Sequence, residues 1–155
     1  MSVIWIIVTC GGALAALVTG LMLFTTWNTR RAQQAVPPTG HFINLDGVRM
    51  HYLDQGSGPV IVMVHGLGGN LRNFYRLVDV LSATFRVVAV DRPGSGYSVV
   101  QSGPHPGLNE QASIVAQFIR ALDLQQPVLV GHSLGGALAL ALALDHPGCV
   151  RALVL

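Results

Sequence analysis

The sequence predicts an α/β domain built on an open, mostly parallel sheet with an antiparallel hairpin at one edge, preceded by a single membrane-spanning helix. Three observations carry this prediction. Continuous apolar runs of strand length alternate with stretches of helical periodicity, the order expected of parallel strands joined by crossover helices. Each buried run breaks into a glycine-rich or turn-rich loop at its C-terminal end. The segment from Val3 to Phe24 carries no charged side chain. The chain therefore divides into a transmembrane anchor over 1–27, a linker over 28–40 and a folded domain over 41–155.

Composition agrees with an anchored domain. Of the 155 residues, 51% are hydrophobic and only 10% charged, and the mean hydropathy of +0.53 is high for an ordinary soluble domain. The net charge of +2 comes from scattered side chains and forms no basic stripe, which argues against nucleic acid as a partner. Cys10 and Cys149 fall in different segments and suggest neither a disulfide framework nor a ligand cluster.

At helical rise the Val3–Phe24 run would extend about 33 Å, enough to cross the hydrocarbon core. Trp5 and Trp27 bracket it at the depth of the interfacial aromatic belts. A cleaved signal peptide needs a positive leading region, a shorter apolar core and a small-residue cleavage site, and the sequence shows none of these. Arg30 and Arg31 follow the run and no basic side chain precedes it, so the domain is expected on the cytoplasmic side. Gly12, Ala16 and Gly20 recur every four residues on one face, a spacing that allows spans to self-associate but is also common in spans that do not. Residues 25–40 show no apolar period and end in Pro37-Pro38, which reads as a linker stiffened near its end.

The domain opens with His41–Leu45 and Val48–Leu53, alternating around Asp46-Gly47 as a hairpin does. Val60–Val64 is apolar throughout, as in a strand covered on both faces, and stops at His65-Gly66-Leu67-Gly68-Gly69. Asn70 caps an expected helix whose Phe74, Leu77, Val78 and Leu81 share one face. Arg86–Val90 is a further buried strand that ends in Asp91-Arg92-Pro93-Gly94-Ser95-Gly96-Tyr97-Ser98. Val115, Phe118, Ile119 and Leu122 mark a second amphipathic helix. A strand over Pro127–Gly131, a helix over Leu134–Asp145 expected to be buried on most sides, and a strand beginning at Val150 complete the order.

Between that strand and helix lies Gly131-His132-Ser133-Leu134-Gly135. A serine hydroxyl is a poor nucleophile until it is held at an exposed apex, beside a base and beside donors for the oxyanion formed on attack. Gly-x-Ser-x-Gly in a strand–turn–helix context builds that apex, because side chains two residues before or after the serine would strike the neighbouring strand and helix. In an open α/β sheet the ligand lies beyond the C-terminal ends of the strands. His65, Asp91 and Ser133 all fall at such ends.

The three loops together resemble the α/β-hydrolase fold family, of which residues 41–155 look like the N-terminal half. His65-Gly66-Leu67-Gly68-Gly69 is similar to the oxyanion loop after the third strand, Asp91 to Ser98 to the D-x-x-G-x-G-x-S loop after the fourth, and Gly131 to Gly135 to the nucleophile elbow. The resemblance implies Ser133 as nucleophile and the backbone N–H groups of Leu67 and Leu134 as the oxyanion hole. It implies supporting roles for His65, Gly66, Gly131 and Gly135, and makes Asp91 a loop-organising residue, not the triad acid. His132 would point into the helix packing. Epoxide hydrolases and haloalkane dehalogenases place an aspartate where Ser133 stands, so the serine implies relatives of the esterase, lipase, thioesterase, amidase, carbon–carbon bond hydrolase or peroxidase-like kind. Their shared reaction is acyl transfer on a small-molecule substrate, and it calls for no metal and no organic cofactor. A dinucleotide fingerprint at Gly66 fails, since Leu71 stands where its third glycine belongs.

Triad partners in this fold follow the serine as acid and then histidine. After Ser133 the chain offers Asp145 and His146, which sit at the far end of the following helix, about 18 Å away at helical rise. Asp-His-Pro-Gly there reads as a helix stop. The 155 residues thus read as part of a longer serine hydrolase, inactive by itself. The competing reading is a non-catalytic hydrolase-like scaffold used as a binding or interaction module.

Overall fold

The computed structural model describes residues 3–155 and forms two compact units, one ending at Pro38 and one spanning Thr39–Leu155. The first unit is a single helix, α1 (Val3–Ala35), and its described side chains are exposed. One stretch of it, Ile7–Ala35, is long and apolar enough to cross a membrane. Several of its threonines are internally satisfied: the hydroxyls of Thr9, Thr25 and Thr29 donate to the carbonyls of Trp5, Leu21 and Thr25 at 2.8, 2.8 and 2.9 Å. Such back-bonding pairs a helix hydroxyl without a partner from outside the helix. The linker expected from residue 28 begins later, because the helix continues to Ala35. Arg30, Arg31, Ala32, Gln33, Gln34 and Ala35 lack an apolar period but are good helix formers, and nothing breaks them before Pro37.

In the second unit β1 (His41–Leu45) and β2 (Val48–Gln55) form the expected hairpin, with Leu45 facing Val48 across the Asp46-Gly47 turn. β3 (Val60–Val64) leads through a 3-10 turn (Leu71–Phe74) into α2 (Tyr75–Leu81). β4 (Arg86–Val90) is followed by a two-residue strand, β5 (Val99–Val100), and then α3 (Leu108–Ala121). β6 (Val128–Gly131), α4 (Leu134–Asp145) and β7 (Ala152–Val154) complete the unit. The sheet runs in the order β1-β2-β4-β3-β6-β7 with β5 pairing β2. The pairs β4/β3, β3/β6 and β6/β7 are parallel, and the hairpin adds antiparallel at one edge.

Side chains along the central strands alternate between two apolar layers, which is why those strands read as uninterrupted hydrophobic runs. Val62, Val64, Val88 and Val90 face α3 and α4, where they meet Val115, Phe118, Ile119, Leu138 and Leu142. Met63, Val87 and Ala89 face the other way, onto Leu71, Phe74 and Val78. Asn70 caps the 3-10 turn through its side-chain oxygen, which accepts from the Arg72 N–H at 3.0 Å.

Two packing expectations are corrected. Leu77 is half exposed, because the first turn of the expected α2 is wound as a 3-10 helix and shifts the helical face that meets the sheet. α4 is buried only along Gly135, Gly136, Leu138, Ala139 and Leu142, while Leu140 and Leu144 lie open on its opposite face. The alternating Ala/Leu sequence makes all sides of α4 apolar, so composition alone does not indicate which face is covered.

Candidate active site

The elbow is held by close backbone approach. Ser133 sits at φ 55°, ψ −118°, a conformation that costs a non-glycine residue free energy and that tight surroundings must enforce. Those surroundings are glycines. A Cβ on Gly131 would overlap the Gly135 carbonyl, and one on Gly135 would overlap the carbonyl oxygens of Val64 and His65. The steric reason for Gly-x-Ser-x-Gly is thus present atom by atom. Ser133 is exposed, and its hydroxyl has no hydrogen-bond partner among the described residues. Leu134 opens α4, so its N–H has no carbonyl four residues back within the helix and is left for a ligand at the positive end of the helix dipole.

The loop after β3 comes against this apex. A Cβ on Gly66 would stand 3.1 Å from the Ser133 Cβ and 3.1 Å from the His132 carbonyl oxygen. Leu67, the next residue, is 83% exposed at the mouth of the site. The loop's own shape comes from buried polar side chains. The Arg92 N–H donates to His65 Nε2 at 3.0 Å, so the other ring nitrogen, Nδ1, bears the proton and donates to the Gly66 carbonyl at 2.8 Å. Burial, aided by the Arg92 cation and opposed by the bond to Gly66, holds His65 below the usual imidazole range. With both nitrogens engaged and the ring neutral, His65 supports the loop and is not placed to act as a base.

Asp91 ties together three segments. Its carboxylate accepts from the Leu71 N–H at 2.7 Å, from the Tyr97 N–H at 2.8 Å and from His51 Nδ1 at 2.7 Å, while His51 Nε2 donates to the Thr39 carbonyl at 2.8 Å. Burial would raise the Asp91 carboxyl, but the hydrogen bonds from His51, Tyr97 and Leu71 outweigh it and hold the group below the ordinary 3.8. Both carboxylate oxygens of Asp91 are thus engaged by backbone and His51 donors from three segments, which is the arrangement of a loop organiser.

His132 departs from expectation. Its side chain is exposed, and its Nδ1 would lie 3.2 Å from a Gly66 Cβ, so it lies over the loop after β3 and not in the helix packing. The strand-to-helix reversal turns the residue before the serine outward, onto the loop that crosses it. Asp145 and His146 lie at the other end of α4, and His146 Nε2 is 3.1 Å from the Ser113 hydroxyl. Sequence reasoning passed over His51, Arg92 and Gln111, all of them buried and polar. The available signal was a charged residue directly after an apolar strand, at Asp91-Arg92.

The alpha/beta hydrolase fold family matches residues 59–155. The chain belongs to that family. It is 35% identical over 127 residues to 2-hydroxymuconate semialdehyde hydrolase of a Pseudomonas species, covering 80% of this chain and 45% of that protein. It is 33% identical over 150 residues to bifunctional epoxide hydrolase 2 of Sus scrofa, covering 87% of this chain and 25% of the relative. Among solved structures, an epoxide hydrolase of Bacillus megaterium in complex with an inhibitor matches with a TM-score of 0.68 and 27% identity, over 73% of this chain and 40% of that one. The chain thus spans between a quarter and just under half of the curated relatives named here. These relatives are hydrolases, and the α/β-hydrolase architecture implied by the sequence is the one the structure has.

Proposed function

We propose that the whole protein is a serine hydrolase of the alpha/beta hydrolase fold that acts on a carboxylic ester or related acyl substrate through an acyl-enzyme on Ser133. The observation that carries this reading is the elbow itself: an exposed serine in a strained backbone conformation, enforced by glycine contacts and lying against the loop after β3. In the reaction a general base takes the Ser133 hydroxyl proton as Oγ bonds to the substrate carbonyl carbon, and the carbonyl electron pair moves onto oxygen. The Leu67 and Leu134 N–H groups receive that oxyanion. Its collapse expels the leaving alkoxide, which takes the proton from the base, and water repeats the sequence to release the acid. Among the described residues no imidazole or carboxylate bonds to Ser133, so the base and its acid partner are assigned to the remainder of the whole protein. The serine separates this reading from the epoxide hydrolases among the relatives, as the family resemblance implies for that position.

We also propose that α1 anchors the protein in a membrane through residues 3–24, with the hydrolase domain on the cytoplasmic side. The support is the length and apolarity of the helix and the two arginines that follow it. Carbonate extraction at high pH should leave the protein in the membrane fraction and release a variant lacking residues 3–24. Release of both would remove the anchor.

For the enzymatic reading, the whole protein mixed with excess p-nitrophenyl butyrate should show a burst of p-nitrophenol stoichiometric with enzyme and an added butyryl mass on the peptide containing Ser133. The Ser133→Ala variant should show neither. Equal turnover by that variant would sink the proposal.

A further inference from the structure

The most unusual group near the site is Arg92. It is buried to 4% exposure, yet all of its side-chain hydrogen bonds go to neutral oxygens: Nε to the His65 carbonyl at 2.9 Å, Nη2 to the Gly66 carbonyl at 3.1 Å and Nη1 to Gln111 Oε1 at 2.8 Å. Among the described residues no carboxylate forms an ion pair with it. A guanidinium taken out of water without a counter-charge is expensive, and a neutral side chain could close the same space at less cost. Gln111 is itself fixed, its Nε2 donating to the Pro106 carbonyl at 3.0 Å, so the guanidinium plane is held from behind.

The two carbonyls that Arg92 grips are those directly before Leu67. The Gly66 carbonyl and the Leu67 N–H belong to one peptide unit, and no peptide bond among the described residues is cis. In a trans peptide the C=O and N–H vectors point in opposite directions, so fixing one fixes the other. The Gly66 oxygen accepts from His65 Nδ1 at 2.8 Å, from Arg92 Nη2 at 3.1 Å and from the Gly69 N–H at 3.3 Å. Three donors on one side leave the Leu67 N–H directed the other way, and no acceptor among the described residues takes it. A cationic donor on the carbonyl also polarises the peptide and strengthens the N–H at its other end as a donor.

We propose that Arg92, together with the neutral Nδ1–H tautomer of His65, is a positioning residue for the oxyanion hole, aiming and polarising the Leu67 N–H through the Gly66 carbonyl. This rests on the acyl-enzyme reading of Ser133. The function of the buried charge is then to raise the transition state's share of binding, since an oxyanion forms only on attack and the ground-state carbonyl gains little.

The test uses the whole protein. Arg92→Gln should lower kcat for an activated ester by about tenfold to a hundredfold, somewhat less than the loss of an oxyanion donor itself, with KM changed by no more than about twofold. Affinity for a trifluoromethyl ketone, which forms an oxyanion on Ser133, should fall by the same factor, while affinity for the product acid stays the same. Arg92→Lys keeps the charge but not the fork and should lie between the two; should the glutamine variant fail to fold, the lysine variant decides, and wild-type kcat in it overturns the proposal. Equal losses in ketone and product-acid affinity would also overturn it, because they would mark general damage to the site. Fluorophosphonate labelling of Ser133 in the wild-type protein separates the two claims: labelling with unchanged kcat in the variants removes only the role of Arg92, whereas no labelling removes the acyl-enzyme reading and this inference together.

Discussion

The two N–H groups proposed for the oxyanion hole, those of Leu134 and Leu67, are held by different physics. The Leu134 N–H is set by packing: Gly131, Ser133 and Gly135 lie so close to β3 and to each other that no side chain fits between them. The Leu67 N–H is set by polar bonds, with His65 and Arg92 holding the Gly66 carbonyl of the same peptide and Gln111 holding Arg92. The elbow should therefore be sensitive to added volume and indifferent to charge. The loop should be sensitive to charge and to hydrogen-bond geometry, with less dependence on volume.

The largest effect that would break this contrast is at Gly135. Gly135→Ala puts a Cβ into the Val64 and His65 carbonyls, where only backbone movement makes room. It should cost about 3 kcal/mol or more, at or above the usual range for overpacking, and be read as a lower urea midpoint of the whole protein in detergent. A midpoint equal to wild type would show that the elbow is not held by packing.

Next comes Asp91, which belongs to the polar side of the comparison. Asp91→Asn weakens three hydrogen bonds and should cost about 1.5–3 kcal/mol at neutral pH. The native carboxyl lies below its ordinary 3.8, so between those two values the unfolded chain binds more protons than the folded one. Stability should then rise with pH across that window, be fully present above it and be lost as pH falls through the folded value. The asparagine variant should show a flatter acid limb in urea midpoints taken from pH 5 to pH 2. An unchanged acid limb would place the acid sensitivity elsewhere.

The smallest effect sharpens the comparison from outside the site. His146 closes the far end of α4 and meets Ser113. His146→Ala should cost about 0.5–1.5 kcal/mol, the worth of one hydrogen bond, and leave kcat at wild-type level in the ester assay. A large loss of kcat at full stability would make His146 part of the chemistry, against its position.

The same division explains what could be read from the residues in advance. Val60–Val64, Arg86–Val90 and Leu134–Asp145 were legible because local apolar pattern and flanking glycines specify them. The steric logic of Gly131 and Gly135 was legible for the same reason, since the motif is local. β5 was not, because two residues, Val99 and Val100, become a strand only by meeting Val48 and Arg49 on β2. Nor was the clamp on Leu67: Arg92 reaches Gly66 across 26 positions of sequence, a contact with no periodic trace. Residues 28–35 were missed for a different reason, in that intrinsic helix propensity extended α1 where no packing pattern was visible. His132 and Leu77 show the limit of periodicity, since a sharp reversal and a 3-10 turn each redirect a side chain that spacing would send inward.

The most direct measurement is of Ser133 itself. The whole protein is treated with a fluorophosphonate and digested, and the modified peptide is located by mass spectrometry. One modification per chain is expected, on Ser133, lost in Ser133→Ala and slowed in Arg92→Gln. Modification at another serine, or an unmodified Ser133 in a protein that hydrolyses esters, would contradict it.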